Sequence, residues 1–500
     1  MTVSTHAEPA ASPTVMPDVP VTPRDERVQF GSNSPTLAVD PSDPRFVTLA
    51  SRFDNPDFGC ALHLSGNGGL GWVPAFPVTE RSLPRGTEKC YAPEVAFDAR
   101  GTLYYLYIGL AGPGNSPSGT FLVTTRDRGR SFTRSRRLLG RERYMVRMAI
   151  DRSAGKQGRM HIVWLEAGTD PPLGGLAPPP NPIFTAYSDD GGRTFSKPLR
   201  LSDPSRRVVA PALTLAPGGR VHVAFYDLED DARDYQGLEG PVWEGRWSLH
   251  AVSSVDGGRS FGPAAIVDSD VVPPERIMLI YTMPPPTLAA GGSGSVFAAW
   301  HDARNGDWDA LLRRSDDGGR TWHAPVRLND DEVRSGRHQY LPRLSVGPDG
   351  RLDVVFYDRR NDPENLRNDV FFTSSSDGGR SFTKNLRVNS ESFHSQIGTR
   401  YPIPSARGLV EYGSRIAVAS LRTRALAAWT DTRLSDLEAF SQDVFATQVV
   451  LSQQSEPVPR PPRTRVSATA LLLGAGLVIV AGSGVILGIR RRRKRVAESV

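Results

Sequence analysis

Three short pairs carry the most evident chemistry in the sequence: Asp302 with Arg304, Asp358 with Arg360, and Asp431 with Arg433. Each places a carboxylate and a guanidinium two residues apart in a loop after an apolar run, and Asp227 stands in a related place. A second carboxylate, Asp309, Asp369 or Asp443, opens the next apolar run. Guanidinium groups match carboxylate or phosphate oxygens bidentately, so a ring of such arginines would suit an anionic ligand. Because the set repeats, a salt-bridge network internal to the loops is the favoured reading. Tyr340 and Tyr401, like Tyr91 and Tyr144, stand just before other apolar runs, where rings can stack on sugars or pack into a core. His338 and His394 lie in the same loops as candidate acid/base groups. The nine His show no metal-ligand spacing, and no metal or cofactor is expected.

The elements that must position these residues are set by repetition. Six octapeptides recur: Ser65-GNGGLG-Trp72, Thr125-RDRGRS-Phe132, Ser188-DDGGRT-Phe195, Ser254-VDGGRS-Phe261, Ser315-DDGGRT-Trp322 and Ser375-SDGGRS-Phe382, with starts 60, 63, 66, 61 and 60 residues apart. The third position, Asn67, Asp127, Asp190, Asp256, Asp317 or Asp377, offers a side-chain oxygen to backbone N–H groups in a tight turn. The fifth is always Gly, which suits a positive φ. The eighth is Trp or Phe, large enough to pin the turn to a core. A motif repeated six times points to scaffold before active site.

Apolar runs with strand character precede each octapeptide, and a short run such as Leu199-RLSD follows it. Four strands in about 60 residues form the plan of a propeller blade. Three more runs, at Arg415-IAVAS, Ala425-LAAWTDTR and Asp443-VFATQVVL, supply a seventh unit, and Arg27-VQFGSN is expected to complete it and close the ring. The predicted fold is all-β: a β-propeller of seven four-stranded blades, with six as the alternative, spanning 27–452. Residues 1–26 are expected to be disordered.

Beyond it lie a Pro-rich stalk at 453–466, an uncharged stretch from Ser467 to Ile489 and a basic tail at 490–500. As a helix the stretch would be roughly 34 Å long against about 30 Å of hydrocarbon, so it is expected to span a membrane. The basic run after it puts the C-terminus in the cytosol and the propeller outside. No apolar leader precedes the propeller in residues 1–27, so either the start lies upstream or the span inserts as a tail anchor.

The octapeptides resemble the Asp-box, or BNR repeat: Ser or Thr, any residue, Asp, any residue, Gly, any residue, Ser or Thr, then Trp or Phe. Copies two to six keep every fixed position, and copy one departs at Asn67 and Gly71. The chain is therefore similar, over about 425 residues, to the sialidase-like propellers. That resemblance implies the propeller fold and, if the protein is an enzyme, a glycosidase. In that family three arginines from separate blades hold a substrate carboxylate, a Tyr paired with a Glu is the nucleophile, and an Asp is the acid/base. The family's N-terminal Arg-Ile-Pro type motif is absent: the chain reads Gln29-FGSNSPTLAVD there. The family's catalytic propeller also has six blades. The expectation is a membrane-anchored propeller that binds glycans or other anionic ligands on the face opposite the octapeptides. Glycoside hydrolysis and a non-catalytic platform for a protein partner are the alternatives.

Charge excludes one class. Residues 490–495 hold six of the 60 Lys and Arg, and the other 54 balance 54 Asp and Glu, so no nucleic-acid partner is expected. Cys60 and Cys90, the only cysteines, fall on one face of adjacent blades and are expected to form a disulfide outside the cell.

Overall fold

The computed structural model describes residues 12–451, apart from 23–30, 55–56, 113–114, 142, 154–157, 167–180, 232–242, 274–283, 399–409, 411 and 436–440. Tyr401, the stalk, the 467–489 stretch and the basic tail lie outside the described residues. Among those described, no helix is long and apolar enough to cross a membrane, and the only helical element is a 3-10 turn, Glu80–Ser82.

Seven antiparallel sheets follow one another along the chain, at 32–75, 89–139, 143–200, 208–271, 287–327, 339–387 and 417–450; we number them as blades 1 to 7. In each, hydrogen bonding runs from first strand to fourth in chain order, except that the outer position of blade 7 is filled from the N-terminus. The first strands contact one another around a closed ring, blade 7 returning to blade 1. The second strands are apolar on both faces because each blade is covered by two neighbours. Leu352–Asp358 and Val296–Asp302 are buried at every residue, and Trp164, Trp300 and Trp429 on second strands are less than 2% exposed.

Closure differs from expectation. Residues 27–30 of the expected closing strand lie outside the described residues, and the outer position of blade 7 is filled from further upstream: Thr14 and Val15 pair with Val450 and Val449, and Val19 and Pro20 with Ala446 and Phe445. This segment was expected to be disordered because it is rich in Pro. An outermost strand needs N–H groups on one side only, so Pro17 and Pro20 are tolerated there. Val21 is buried, the Thr22 hydroxyl donates to Asp443 Oδ1 at 2.9 Å, and Asp18 pairs with Arg433 at 2.9 Å, both side chains less than a tenth exposed.

The octapeptide turns share one network. In blade 3 the Ser188 hydroxyl donates to Asp190 Oδ1 at 2.8 Å and accepts from Gly192 N at 2.7 Å; Asp190 in turn accepts from Arg193 N and Thr194 N and from the Thr194 hydroxyl. The fifth-position glycines have φ between 76° and 99°. They also touch the preceding blade: a Cβ on Gly129 would lie 2.5 Å from Leu64 Cδ1, and one on Gly379 would lie 3.0 Å from Phe297. Each turn is thus a spacer between blades as well as a hairpin. Phe132, Phe195, Phe261 and Phe382, with Trp72 and Trp322, are half-buried against the inter-blade cores.

Cys60 and Cys90 form the disulfide between blades 1 and 2, with Cα atoms 5.5 Å apart and a sequence separation of 30. By loop-closure entropy this contributes roughly 3–4 kcal/mol.

Deleting residues 1–22 is expected to uncover the outer edge of blade 7 and lower the thermal midpoint by several degrees, measured by circular dichroism; an unchanged midpoint would show that the closing strand adds nothing. The turn carboxylates predict a second outcome. Donation from the Ser131 hydroxyl, then its N–H, lowers Asp127 to about 2, and the Thr194 and Ser381 hydroxyls likewise hold Asp190 and Asp377 well down. A depressed folded pKa stabilises above the unfolded value near 4 and is lost as pH falls through the folded one. Stability should therefore fall from pH 4 towards pH 2, and Asp127→Asn should flatten that part of the acid-unfolding curve.

Candidate functional site

The Asp-x-Arg pairs sit where second strands end, on the face opposite the octapeptides, and the structure places them in latches between blades. Arg304 pairs with Asp302 at 2.6 Å and with Asp268 on the fourth strand of blade 4 at 3.1 Å. Arg360 joins Asp358 to Asp330, which follows the fourth strand of blade 5. Arg433 joins Asp431 to Asp18, and its Nη1 donates to Ser390 beyond blade 6. Trp300 and Trp429 Nε1 donate to the same buried Asp302 and Asp431 at 2.8 Å. Asp309 and Asp369 are bound by Arg327 and Arg387 of their own fourth strands, and Asp443 by Thr22. All three guanidiniums of the expected ring are thereby committed within the protein.

Tyr340 is fully buried, and its hydroxyl donates to Asn368 Oδ1 at 2.6 Å. Burial raises the Tyr340 and Tyr412 hydroxyls above the ordinary range. Burial also pulls His338 down to about 4, helped by Arg359, and lowers His394. Asp227, Glu229 and His250 bring ligand atoms within 4.8 Å of one another, the one such group among the described residues. Arg206 already pairs with both carboxylates, so one of their two negative charges is balanced inside the cluster.

The first strands build a different site. Five of them carry a bulge with a non-Gly residue at positive φ: Ser34 (54°), Ala92 (49°), Met145 (50°), Ala210 (56°) and Leu341 (51°). Such backbone costs about 1–3 kcal/mol per residue and persists where the surroundings fix it. Pairing resumes two residues later, opposite the fourth or fifth residue of the second strand, at Thr36, Glu94, Arg147, Ala212 and Arg343. Bulges re-aim side chains, and here three of the five are charged.

Those charges meet across the ring. Glu94 of blade 2 accepts from Arg147 Nη1 of blade 3 at 3.2 Å, from Arg415 Nη1 of blade 7 at 2.8 Å, and through its other oxygen from Met148 N at 2.9 Å. The contact between blades 2 and 7 skips blade 1, so it lies in the central channel. Burial, then the charge of Arg147, lowers Arg415 to about 9, still protonated at neutral pH; Glu94 opposes the shift and Arg343 adds to it. Arg415 Nε is buried without a hydrogen-bond partner among the described residues. Arg343, lowered by burial and by Arg147, is half-buried and makes no side-chain hydrogen bond or ion pair among them. At the rim, Arg52 holds Asp54 at 2.8 and 3.0 Å and donates to the Tyr91 hydroxyl at 2.7 Å. Four arginines thus face two carboxylates. Further along the same first strands the channel opens into a cavity of about 350 Å³ lined mostly by small and aliphatic residues, among them Ala38, Ala96, Ala149 and Ala419, together with Arg152.

Sequence reasoning missed this cluster because its members lie in four units and share no motif. The available signal was the register: Glu94 and Arg343 follow Pro at the same point of otherwise apolar first strands.

Fold and site together define a seven-bladed β-propeller with an arginine-rich channel mouth. The chain matches no protein-family model and no curated protein. Among solved structures it is similar to a protein of unknown function from Dyadobacter fermentans (15% identity, 88% of this chain and 99% of that one, TM-score 0.48). It is also similar to the Hadza microbial sialidase Hz136 (13%, 81% and 74%, 0.45) and to an ulvan lyase of a polysaccharide lyase family (11%, 83% and 94%, 0.47). No residue role is transferred from them.

Replacing the one carboxylate shared by Arg147 and Arg415 tests this electrostatic description. Glu94→Gln should destabilise the propeller by about 3 kcal/mol or more, because it leaves buried cations uncompensated. Added sulfate should restore more of the thermal midpoint in the variant than in the wild type; equal sulfate dependence would show that the arginines do not share one field.

Proposed function

We propose that the protein is an envelope-surface propeller that binds the carboxylate of an anionic glycan at the channel mouth, with Arg147, Arg343 and Arg415 as the binding groups. The observation that carries this reading is the convergence of two guanidiniums, from blades 3 and 7, on Glu94, with Arg343 of blade 6 close enough to share their field and left unpaired among the described residues. Charge-assisted bonds to a carboxylate or sulfate would satisfy Arg343 and the open Nε of Arg415. In this reading Glu94 holds Arg147 and Arg415 in place until the ligand arrives.

Binding without hydrolysis fits the mouth better than catalysis. A glycosidase needs two carboxyl groups roughly 5–9.5 Å apart with distinct roles, or a nucleophile in place of one. Glu94 is clamped by two arginines and a backbone N–H, and Asp54 by Arg52 and Asn33. Tyr340 and Tyr412 are buried with raised pKa values, the wrong direction for nucleophiles. The octapeptide turns, read as Asp-boxes, then serve as scaffold. The 467–489 stretch with the basic run after it supports a membrane anchor that leaves the propeller outside the cytosol.

A glycan array probed with residues 1–460 should show binding to carboxylate-bearing glycans in preference to their neutral counterparts. Arg343→Ala should weaken that binding about tenfold or more, the range of one lost charge-assisted bond. Fluorogenic glycosides should not be turned over. Equal binding of neutral glycans would overturn the anion reading, and turnover abolished by Glu94→Gln would replace it with hydrolysis.

A further inference from the structure

Basic residues are not spread evenly along the chain. Residues 126–152 hold ten arginines and only three acids, Asp127, Glu142 and Asp151. The second octapeptide departs from the others by carrying Arg126 and Arg128 at its second and fourth positions. Arg128 pairs with Asp43 of blade 1 at 3.1 Å. Arg126 has no such role.

On the octapeptide face, a cavity of about 810 Å³ lies between the turns of blades 2 and 3, and Arg100, Arg126, Arg134, Arg136 and Arg193 line it. Arg100, Arg126, Arg134 and Arg193 are exposed and make no side-chain hydrogen bond or ion pair among the described residues. Arg136 donates from Nη2 to Gly191 O at 2.6 Å, while its buried Nε has no partner among them.

Four carboxylates also line the cavity, but their oxygens are already occupied. Asp98 accepts from Arg100 N and Thr102 N. Asp127 and Asp190 close their own turns. Asp189 takes Arg159 bidentately at 2.6 and 2.9 Å. An incoming ligand therefore meets open guanidinium donors and carboxylates that are already hydrogen-bonded.

We propose that this inter-blade cavity is a second binding site, for a strand of sulfated or carboxylated polysaccharide. Its donors come from three separate segments, the first turn of blade 2 and the octapeptide turns of blades 2 and 3, and this spread fits successive anionic groups on a chain better than one small ion. Recognition of single-stranded nucleic acid normally adds exposed rings for base stacking. Here Tyr104 is buried and Phe132 is half-buried against the core, so neither offers a free face. The site lies on the face opposite the channel mouth and does not depend on the reading of that mouth.

The test uses the full chain in nonionic detergent, with fluorescent heparin, polygalacturonate and oligo-dT of matched charge as probes. Binding of heparin or polygalacturonate should weaken about tenfold in Arg126→Ser/Arg134→Ser. The slope of log affinity against log salt should become shallower by roughly one to two, as expected when two neutralising cations are lost. Both residues are exposed, so the thermal midpoint of the double variant should match the wild type. Arg81→Ser, an exposed arginine outside both sites, should leave this binding unchanged. The proposal is overturned if the double variant binds both polysaccharides as the wild type does, if Arg81→Ser weakens the binding as much as the double variant does, or if oligo-dT binds as tightly as heparin and loses the same affinity in the double variant.

Discussion

The ring rests on buried carboxylates at the ends of second strands. Asp302, Asp358 and Asp431 are fully buried, and each holds an arginine that reaches the outer strand of the blade before it or a residue just beyond. Blades otherwise meet through apolar faces, which resist separation but set no register. A bidentate guanidinium–carboxylate pair is directional. On the opposite face the octapeptide glycines press against the preceding blade and fix the spacing there. Blades 5 and 6 are thus tied at both ends to the blade before them, and the interior between is left free to be apolar.

With both rims fixed, the first strands can carry strain and charge. The bulges with left-handed non-Gly residues recur in five of the first strands, and through them Glu94, Arg147 and Arg343 re-enter register. A propeller whose blades could slip would not hold three guanidiniums around one carboxylate. The latches and the arginine cluster therefore belong to one argument: the outer pairs satisfy their own charges, and the inner cluster does not.

Much of this was legible in the sequence. The 60-residue spacing, the turn chemistry and the two cysteines led to seven blades and to the Cys60–Cys90 bridge. The closing strand was misplaced because Pro at 17 and 20 reads as disorder until it is seen at a sheet edge, where a missing N–H costs nothing. The Asp-x-Arg pairs were legible as a repeated network, whereas the channel cluster was not, since spacing within one blade says nothing about which side chains meet across a ring. The near-neutral composition hid the ten arginines at 126–152, because an average over 500 residues cannot register a concentration in one short stretch across blades 2 and 3.

The route of closure imposes an order on synthesis. Residues 14–20 emerge first from the ribosome, but their partner, Asp443–Val450, is among the last parts of the propeller to be made. Until then the N-terminal segment has no sheet to join, and blades 1 to 6 form an open arc. Cys60 and Cys90, by contrast, are both present once the second blade begins, so oxidation can secure that end of the arc early. Arg433 gains Asp18 only when the circle is complete. A nascent chain stalled before residue 443 would thus hold most of its blades and none of its closure, and the N-terminal strand would be the part that a protease could still reach.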